Sequence, residues 1–380
     1  MGYESLTAPG DGLRAKYRDQ FPVTERLVYL NHAAVSPLSK RASEAMKQLA
    51  DDVCLYGSLH YDKWLDAYEG VRVAAASLIG AERSEIALVK NTSEGIATVA
   101  FGLDWKPGDR IVAFKEEFPA NFFPWKRLET RGVHVEWLSY RDDLQRIAEA
   151  VNGARLLAIS FVQYLGGFRA DLEAIGEICR DRGAFFFVDA IQGLGAFPLD
   201  VRKAGIHALA ADGHKWMLGP EGCGILYIQH DLQDSIEPVE FGWTNIAGFA
   251  DYACRDMALR SDAGRYECGT LNTIGCFGLR AALELLLEIG VDNIAPAVQA
   301  LADRAAEGAR SKGYELLDQR TPATGAGIVS FRKKGVDARY LYRDLKDKGF
   351  LAAPRQGWLR VAPHFYITPE EIDRLVDALP

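Results

Sequence analysis

Two residues stand where covalent chemistry with an aldehyde is possible: Asp189, in Phe185-Phe186-Phe187-Val188-Asp189-Ala190-Ile191-Gln192, and Lys215, in Asp212-Gly213-His214-Lys215-Trp216. Each follows a short apolar run of strand type, so both side chains can emerge at the carboxyl edge of one sheet, where open α/β folds place their ligands. Enclosing a lysine makes its charged form costly, which lowers its proton affinity and leaves a neutral amine able to form an imine. A carboxylate beneath a pyridine ring keeps the ring nitrogen protonated, and such a ring accepts electron density from a carbanion. Alone, the aspartate reads more often as a cap and the lysine as a solvated side chain. Together at successive strand ends they read as two halves of one reaction centre.

A second chemical signal lies in Val89-Lys90-Asn91-Thr92-Ser93-Glu94-Gly95-Ile96. A strand ends there in hydroxyl residues and a helix begins, which offers unpaired amides and a favourable dipole to an anion such as phosphate. Thr92 and Ser93 add hydroxyl donors. The same residues also describe a well-capped helix with no ligand.

The elements that must position these residues alternate between apolar strands and helices from about Glu85 to Tyr227, the pattern of an open α/β sheet. Strands are expected at Ile86 to Val89, Ile111 to Phe114, Val133 to Leu138, Leu156 to Phe161, Phe185 to Val188, Ala208 to Ala211 and Gly224 to Tyr227. The clearest helix runs from Asp171 to Arg182, with Leu172, Ile175, Ile178 and Cys179 on one face. After Gly275 the pattern becomes an apolar helix to Gly290, a second helix from about Pro296 to Gly313, and short strands at Ile328 to Phe331 and Leu359 to Ala362. The last helix has Thr368 as N-cap, Pro369 in first position, and Glu370 and Glu371 in the first turn. The division expected is a large domain over residues 26–255 and a smaller α+β domain from residues 1–25 and 256–380.

The chain has 380 residues, enough for about two domains. Its 48% hydrophobic and 25% charged residues fit an ordinary globular protein. The formal charge of -8 arises from scattered acids with no long basic run, so no nucleic-acid partner is expected. No stretch of about 18 apolar residues suggests a membrane span, and the polar start from Met1 to Arg18 has no apolar segment, which reads as cytoplasmic. Cys54, Cys179, Cys223, Cys254, Cys268 and Cys276 lack metal-type spacing and read mostly as buried thiols, and the seven histidines form no paired motif, so no metal is expected.

These segments together resemble the class V aminotransferase family, the fold-type-I pyridoxal phosphate enzymes that include cysteine desulfurases, isopenicillin N epimerase-like proteins and kynureninases. The likeness runs from Tyr29-Leu30-Asn31-His32-Ala33-Ala34 to Arg360-Val361-Ala362-Pro363-His364-Phe365-Tyr366. It implies a mostly parallel seven-stranded sheet flanked by helices, with pyridoxal 5'-phosphate as cofactor and an amino acid as substrate. By this resemblance Lys215 is the Schiff-base lysine, Asp189 the pyridinium partner and Gln192 a donor near the phenolic oxygen. Thr92, Ser93 and His214 hold phosphate. Phe118 takes the place of a stacked histidine, keeping an aromatic ring and losing a proton carrier. Gln163 stands where many relatives have asparagine, near cofactor or substrate or as a structural amide. Arg360 matches the arginine that binds the substrate carboxylate. Thr270 either reaches the phosphate of a neighbouring subunit, implying a homodimer with shared active sites, or caps the helix near Thr273. The aromatic segment from Tyr56 to Trp64 either lines a partner's pocket or packs in the core.

One departure from the desulfurases concerns Phe350-Leu351-Ala352-Ala353-Pro354-Arg355-Gln356-Gly357-Trp358, where a nucleophilic cysteine is absent. The expected activity is therefore aminotransfer on an amino acid, with Lys215 moving the α proton. A carbon-sulfur lyase or an epimerase of the same family is the alternative. A chain that binds cofactor only as a regulatory subunit would not need the carboxylate clamp of Arg360.

Overall fold

The computed structural model describes residues 9–380, so the first eight residues of the expected smaller domain lie outside the described residues. Its strands in chain order are β1 (Val28–Tyr29), β2 (Ile86–Val89), β3 (Arg110–Phe114), β4 (His134–Leu138), β5 (Leu156–Ser160), β6 (Phe185–Asp189), β7 (Ala208–Asp212), β8 (Gly224–Ile228), β9 (Glu315–Leu316), β10 (Val329–Arg332), β11 (Phe350–Leu351), β12 (Ala353–Arg355) and β13 (Trp358–Val361). All seven expected strands of the first region are present, within one residue at each end.

Strands β2 to β8 form one seven-stranded sheet in the order β2-β8-β7-β6-β5-β3-β4. Only β8 runs against its neighbours; β7, β6, β5, β3 and β4 pair in parallel. Because β2 and β7 both oppose β8, β2 points the same way as the rest. The carboxyl ends of β2, β3, β5, β6 and β7 therefore share one edge of the sheet.

Both faces of this sheet are covered, which is why its strands read as unbroken apolar runs. Alternate side chains feed opposite cores: Leu157 and Ile159 enter one cluster, Leu156 and Ala158 the other. Helix Leu172–Arg182 is capped by the Asp171 side chain, which accepts from Ala174 N, and helix Thr92–Gly102 by Asn91, which accepts from Glu94 N.

The C-terminal part builds a four-stranded antiparallel sheet, β12-β13-β10-β9. The final helix begins as expected, with Thr368 and Glu371 forming a reciprocal capping box and Pro369 in first position. Helix Val291–Ser311 starts five residues before the expected Pro296, which lies inside it. Gly290, at φ 83°, turns the chain into this helix. Near a helix start, the missing proline N–H removes a single bond.

The N-terminal segment joins the C-terminal part: β1 pairs in parallel with β11. Helices Lys40–Tyr56 and Tyr61–Ile79 pack against Thr273–Ile289. Among the described residues no helix is long and apolar enough to cross a membrane. Of the six cysteines, three are buried; Cys54 is exposed on its helix, and Cys254 and Cys268 are part-exposed, so burial is less general than expected.

The two sheets meet at Gly167, where Ala326 N donates to the Gly167 carbonyl. Gly167 has φ 79°, and a Cβ there would lie 2.2 Å from the Ile328 carbonyl oxygen. Replacing it by alanine adds left-handed strain to a backbone clash. Gly167→Ala should lower unfolding stability by at least about 2 kcal/mol, read as a shift of the denaturant midpoint.

Candidate active site

The shared sheet edge gathers Asp189, Lys215, His214 and the helix start at Thr92 and Ser93. Asp189 is the last residue of β6 and pairs in register with Ser160 on β5 and Ala210 on β7. Lys215 follows β7 in a tight turn, where Leu218 N donates to its carbonyl at 3.0 Å. Leu218 is itself fully buried and left-handed at φ 60°, a conformation that side chains avoid unless the surroundings impose it. The N-terminal segment clamps this turn: Ser36 Oγ donates to the Lys215 carbonyl at 2.5 Å, and Ser36 N to the His214 carbonyl at 2.7 Å.

Burial is the main influence on both reactive groups. It lowers the Lys215 ammonium to about 8, countered by the nearby Asp189 carboxylate and reinforced by Arg360. It raises Asp189 to about 6, countered by the Ile191 N–H and by Lys215. The Ile191 amide donates to Asp189 Oδ1 at 3.1 Å. The pair thus feel one another inside a desolvated space, as expected for a neutralisable amine and a proton-holding acid.

Arg360, on β13, is 3% exposed. One guanidinium nitrogen donates to the Tyr164 carbonyl at 2.7 Å, while its Nε has no partner among the described residues. Burial, with help from Arg355, pushes Arg360 down to about 9. A buried guanidinium with a free donor is suited to a carboxylate arriving from outside.

On the opposite side, Thr92 opens the helix that follows β2. Its buried hydroxyl accepts from Asp212 N at 3.0 Å and keeps its own proton to donate. Ser93 is exposed beside it, and as first-turn residues neither has an intrahelical acceptor for its N–H. His214 Nδ1 lies 3.0 Å from Asp212 Oδ2, a charge contact without hydrogen-bond alignment. These donors at a helix N-terminus fit a phosphate group. The Phe118 ring, 46% exposed, stands with its centroid 5.6 Å from Lys215 Nζ and edge-on to Tyr164, so a planar heterocycle joined to Lys215 finds an aromatic neighbour.

Gln192 donates to the Ala33 carbonyl and accepts from Trp216 Nε1, both at 3.0 Å, leaving one amide N–H uncommitted. Gln163 spends its oxygen on Leu165 N and Gly166 N and donates to the Glu116 carbonyl at 2.9 Å. Its amide braces the turn beside Phe118. Thr270 is exposed and lines a small cleft with Lys90, Glu94 and Cys268. The alternative that it caps the following helix is corrected: Asn272 takes that place and accepts from Gly275 N at 3.0 Å. The cap belongs to the residue directly before the first helical turn, which is Thr273.

Three contributors were not singled out from the sequence. Glu117 accepts from Ser160 N at 2.7 Å and from Ser160 Oγ. Its carboxylate is enclosed even though the residue is partly exposed, and that burial, aided by the charge of Asp189, pushes it up to about 8. The second is Tyr164, whose ring meets Phe118 and whose carbonyl holds Arg360. The third is Arg355 on β12. Glu117 and Tyr164 adjoin residues the sequence marked, Phe118 and Gln163, and that adjacency was the available signal. A cavity of about 820 Å³ between Leu144, Asp171 and Asp200 contains none of these side chains.

Comparison with known proteins bears on this geometry. The aminotransferase class-V family model matches residues 28–375. The chain belongs to the class-V aminotransferases. It is 33% identical over 325 residues to a probable cysteine desulfurase of Pyrococcus abyssi, covering 83% of this chain and 80% of that protein. It is 30% identical to the uncharacterized aminotransferase YcbU of Bacillus subtilis over 97% of both chains. Among solved structures, the apo cysteine desulfurase of Thermococcus onnurineus NA1 superposes with a TM-score of 0.88 at 29% identity, covering 98% of this chain and 97% of that one. This class-V aminotransferase is thus a pyridoxal-phosphate-dependent enzyme with the fold-type-I architecture expected from its sequence.

The buried amine yields a stability prediction that needs no cofactor. Because the folded Lys215 value of about 8 lies below the ordinary 10.5, the folded state is penalised wherever the amine must be charged, below pH 8. In cofactor-free protein, Lys215→Met should raise stability at pH 7 by about 3 kcal/mol. The gain should shrink as the pH rises from 8 towards 10.5 and vanish above it, which denaturant titrations across that range would read.

Proposed function

We propose that this class-V aminotransferase holds pyridoxal phosphate on Lys215 and transfers the amino group of an amino acid. The observation that carries the reading is the buried Lys215 amine, lowered to about 8 and coupled to Asp189, with Arg360 offering a free donor to the same space. Bound pyridoxal phosphate supplies an aldehyde for the amine and an electron sink for the bond broken at the substrate Cα.

The chain's own residues do the rest. Asp189 holds the proton on the cofactor ring nitrogen, and its burial keeps that hydrogen bond away from water. Thr92, Ser93 and His214 hold the phosphate; Phe118 covers the ring, and the free Gln192 N–H serves the phenolic oxygen. Gln163 keeps the turn that carries Tyr164, and through it Arg360, in place. Arg360 binds the substrate carboxylate and so orients the Cα–H bond. Lys215, near neutrality in its proton affinity, takes the α proton as a base and returns it as an acid.

Carbon-sulfur bond cleavage is the second reading, favoured by the naming of several relatives as cysteine desulfurases. Phe350 to Trp358 contains no cysteine, and Cys268 Sγ instead donates to Glu240 at 3.3 Å. Sulfur would then leave without a thiolate from that stretch.

Borohydride reduction of the purified holoenzyme should fix the cofactor on Lys215, and Lys215→Ala should lose both that adduct and at least about a thousandfold of activity. Retention of the adduct in the variant would overturn the reading. Product analysis separates the branches: aminated cofactor with a 2-oxo acid for transfer, sulfide or a sulfur-bearing fragment for cleavage, and solvent deuterium without net conversion for epimerisation.

The second part of the proposal is a homodimer with shared active sites in the cytoplasm, organised as a large domain over residues 26–255 and a smaller one from the remainder. Leu55, Tyr56, Leu59, Tyr61 and Leu65 are all exposed on two successive helices and the turn between them, apolar side chains that a partner subunit would cover. Thr270 lies exposed, without an acceptor for its hydroxyl among the described residues, and serves the partner's phosphate. Sedimentation should give a dimer. Mixing Lys215→Ala with Thr270→Val subunits should restore a fraction of activity that neither variant has alone, since one site of the mixed dimer is then intact.

A further inference from the structure

The segment that lacks a cysteine has a definite shape. Residues β12 and β13 form a hairpin in which Arg355 pairs with Trp358 and Ala353 with Arg360. Its two-residue turn, Gln356 at φ 49° and Gly357 at φ 83°, has the left-handed angles that match the twist of paired strands. Gln356 Nε2 ties the turn to the Tyr164 hydroxyl at 2.7 Å, and Arg360 is tied to the carbonyl of the same tyrosine. The hairpin is therefore anchored at both ends of Tyr164, whose ring lies against Phe118 beside Lys215.

Register places two arginines together. Directly opposite residues of an antiparallel pair project to one face, as do residues two apart on a strand. Arg360, opposite Ala353, and Arg355, two residues further along β12, thus share one face as diagonal neighbours, separated by about 7–8 Å at the backbone. Arg360 is buried with a free Nε, and Arg355 is exposed. Among the described residues neither forms an ion pair: Arg355 donates to its own Pro354 carbonyl, Arg360 to that of Tyr164. Arg355 acts electrostatically on both Arg360 and Lys215, so its charge reaches the reaction space.

Two like charges held on one rigid face without a carboxylate between them are a cost unless anions arrive. We infer that Arg355 is a second anion-binding residue of the active site, taking a carboxylate on the substrate side chain while Arg360 takes the α-carboxylate, so that the preferred substrate is an acidic amino acid. This rests on the amino-acid reading above and adds the class of side chain. Arg355 is a specificity residue; it moves no proton.

The test compares side chains that differ in charge and hardly in shape. The wild-type holoenzyme is titrated with L-aspartate against L-asparagine, and L-glutamate against L-glutamine, following the cofactor's visible band and the steady-state rate. Calorimetry with succinate against butyrate reads binding without any reaction. At least one acid should exceed its amide tenfold or more in kcat/KM, and succinate should bind at least tenfold tighter than butyrate. Arg355→Ala should reduce both ratios to about threefold or less, mainly through KM, and Arg355→Lys should recover part of each. The visible band and its melting point check that each variant retains cofactor and fold. Equal or better use of both amides by wild type, or ratios unchanged in Arg355→Ala, would overturn the inference. If no amino acid at all alters the band, the amino-acid reading itself fails, a result separate from either.

Discussion

A lysine amine held out of water is the constraint around which this protein is arranged. Solvent would favour the ammonium, yet the fold gives it two carboxylates, Asp189 and the weaker Asp212, and sets Arg360 and Arg355 within electrostatic reach as well. Burial outweighs the carboxylates, and the amine is left near 8, where it can exchange a proton at neutral pH. Such a balance needs rigid surroundings, because a small opening to water would restore the ordinary value. The left-handed Leu218, the Ser36 clamp and the Trp216–Gln192 hydrogen bond provide that rigidity around the lysine turn.

The sheet converts this local demand into a site. With β8 alone reversed, the carboxyl ends of β2, β3, β5, β6 and β7 open on one edge. Each contributes a different group: a helix N-terminus after β2, Glu117 and Phe118 after β3, Ser160 at the end of β5, Asp189 at the end of β6 and Lys215 after β7. Helix N-termini at such an edge favour anions, and acids placed there must accept donors or shift their proton affinity. Asp189 and Glu117 both do so, in the same enclosed space.

The opposite wall comes from the C-terminal sheet. Its hairpin presents arginines where the central sheet presents an amine, so the space between is polar at both ends and enclosed by Phe118 and Tyr164. The two walls are joined through backbone contacts at Gly167 and through Tyr164, which touches both. β1 and β11 pair in a two-stranded sheet of their own, which ties the N-terminal segment to the C-terminal part.

What the sequence determined by itself were the features set by local periodicity and by residue type. Seven apolar runs fixed the strands because both sheet faces are buried, and Asp171 and Thr368 marked helix starts because capping is a local hydrogen bond. Asp189 and Lys215 were legible because each terminates such a run. Only the tertiary structure decided what depends on approach between distant segments: that Gln163 gives an amide N–H to the Glu116 carbonyl, and that Glu117 is enclosed beside Asp189. Arg355 belongs to the same class. Its place beside Arg360 follows from hairpin register, and the absence of a carboxylate partner among the described residues is a property of everything that folds around it.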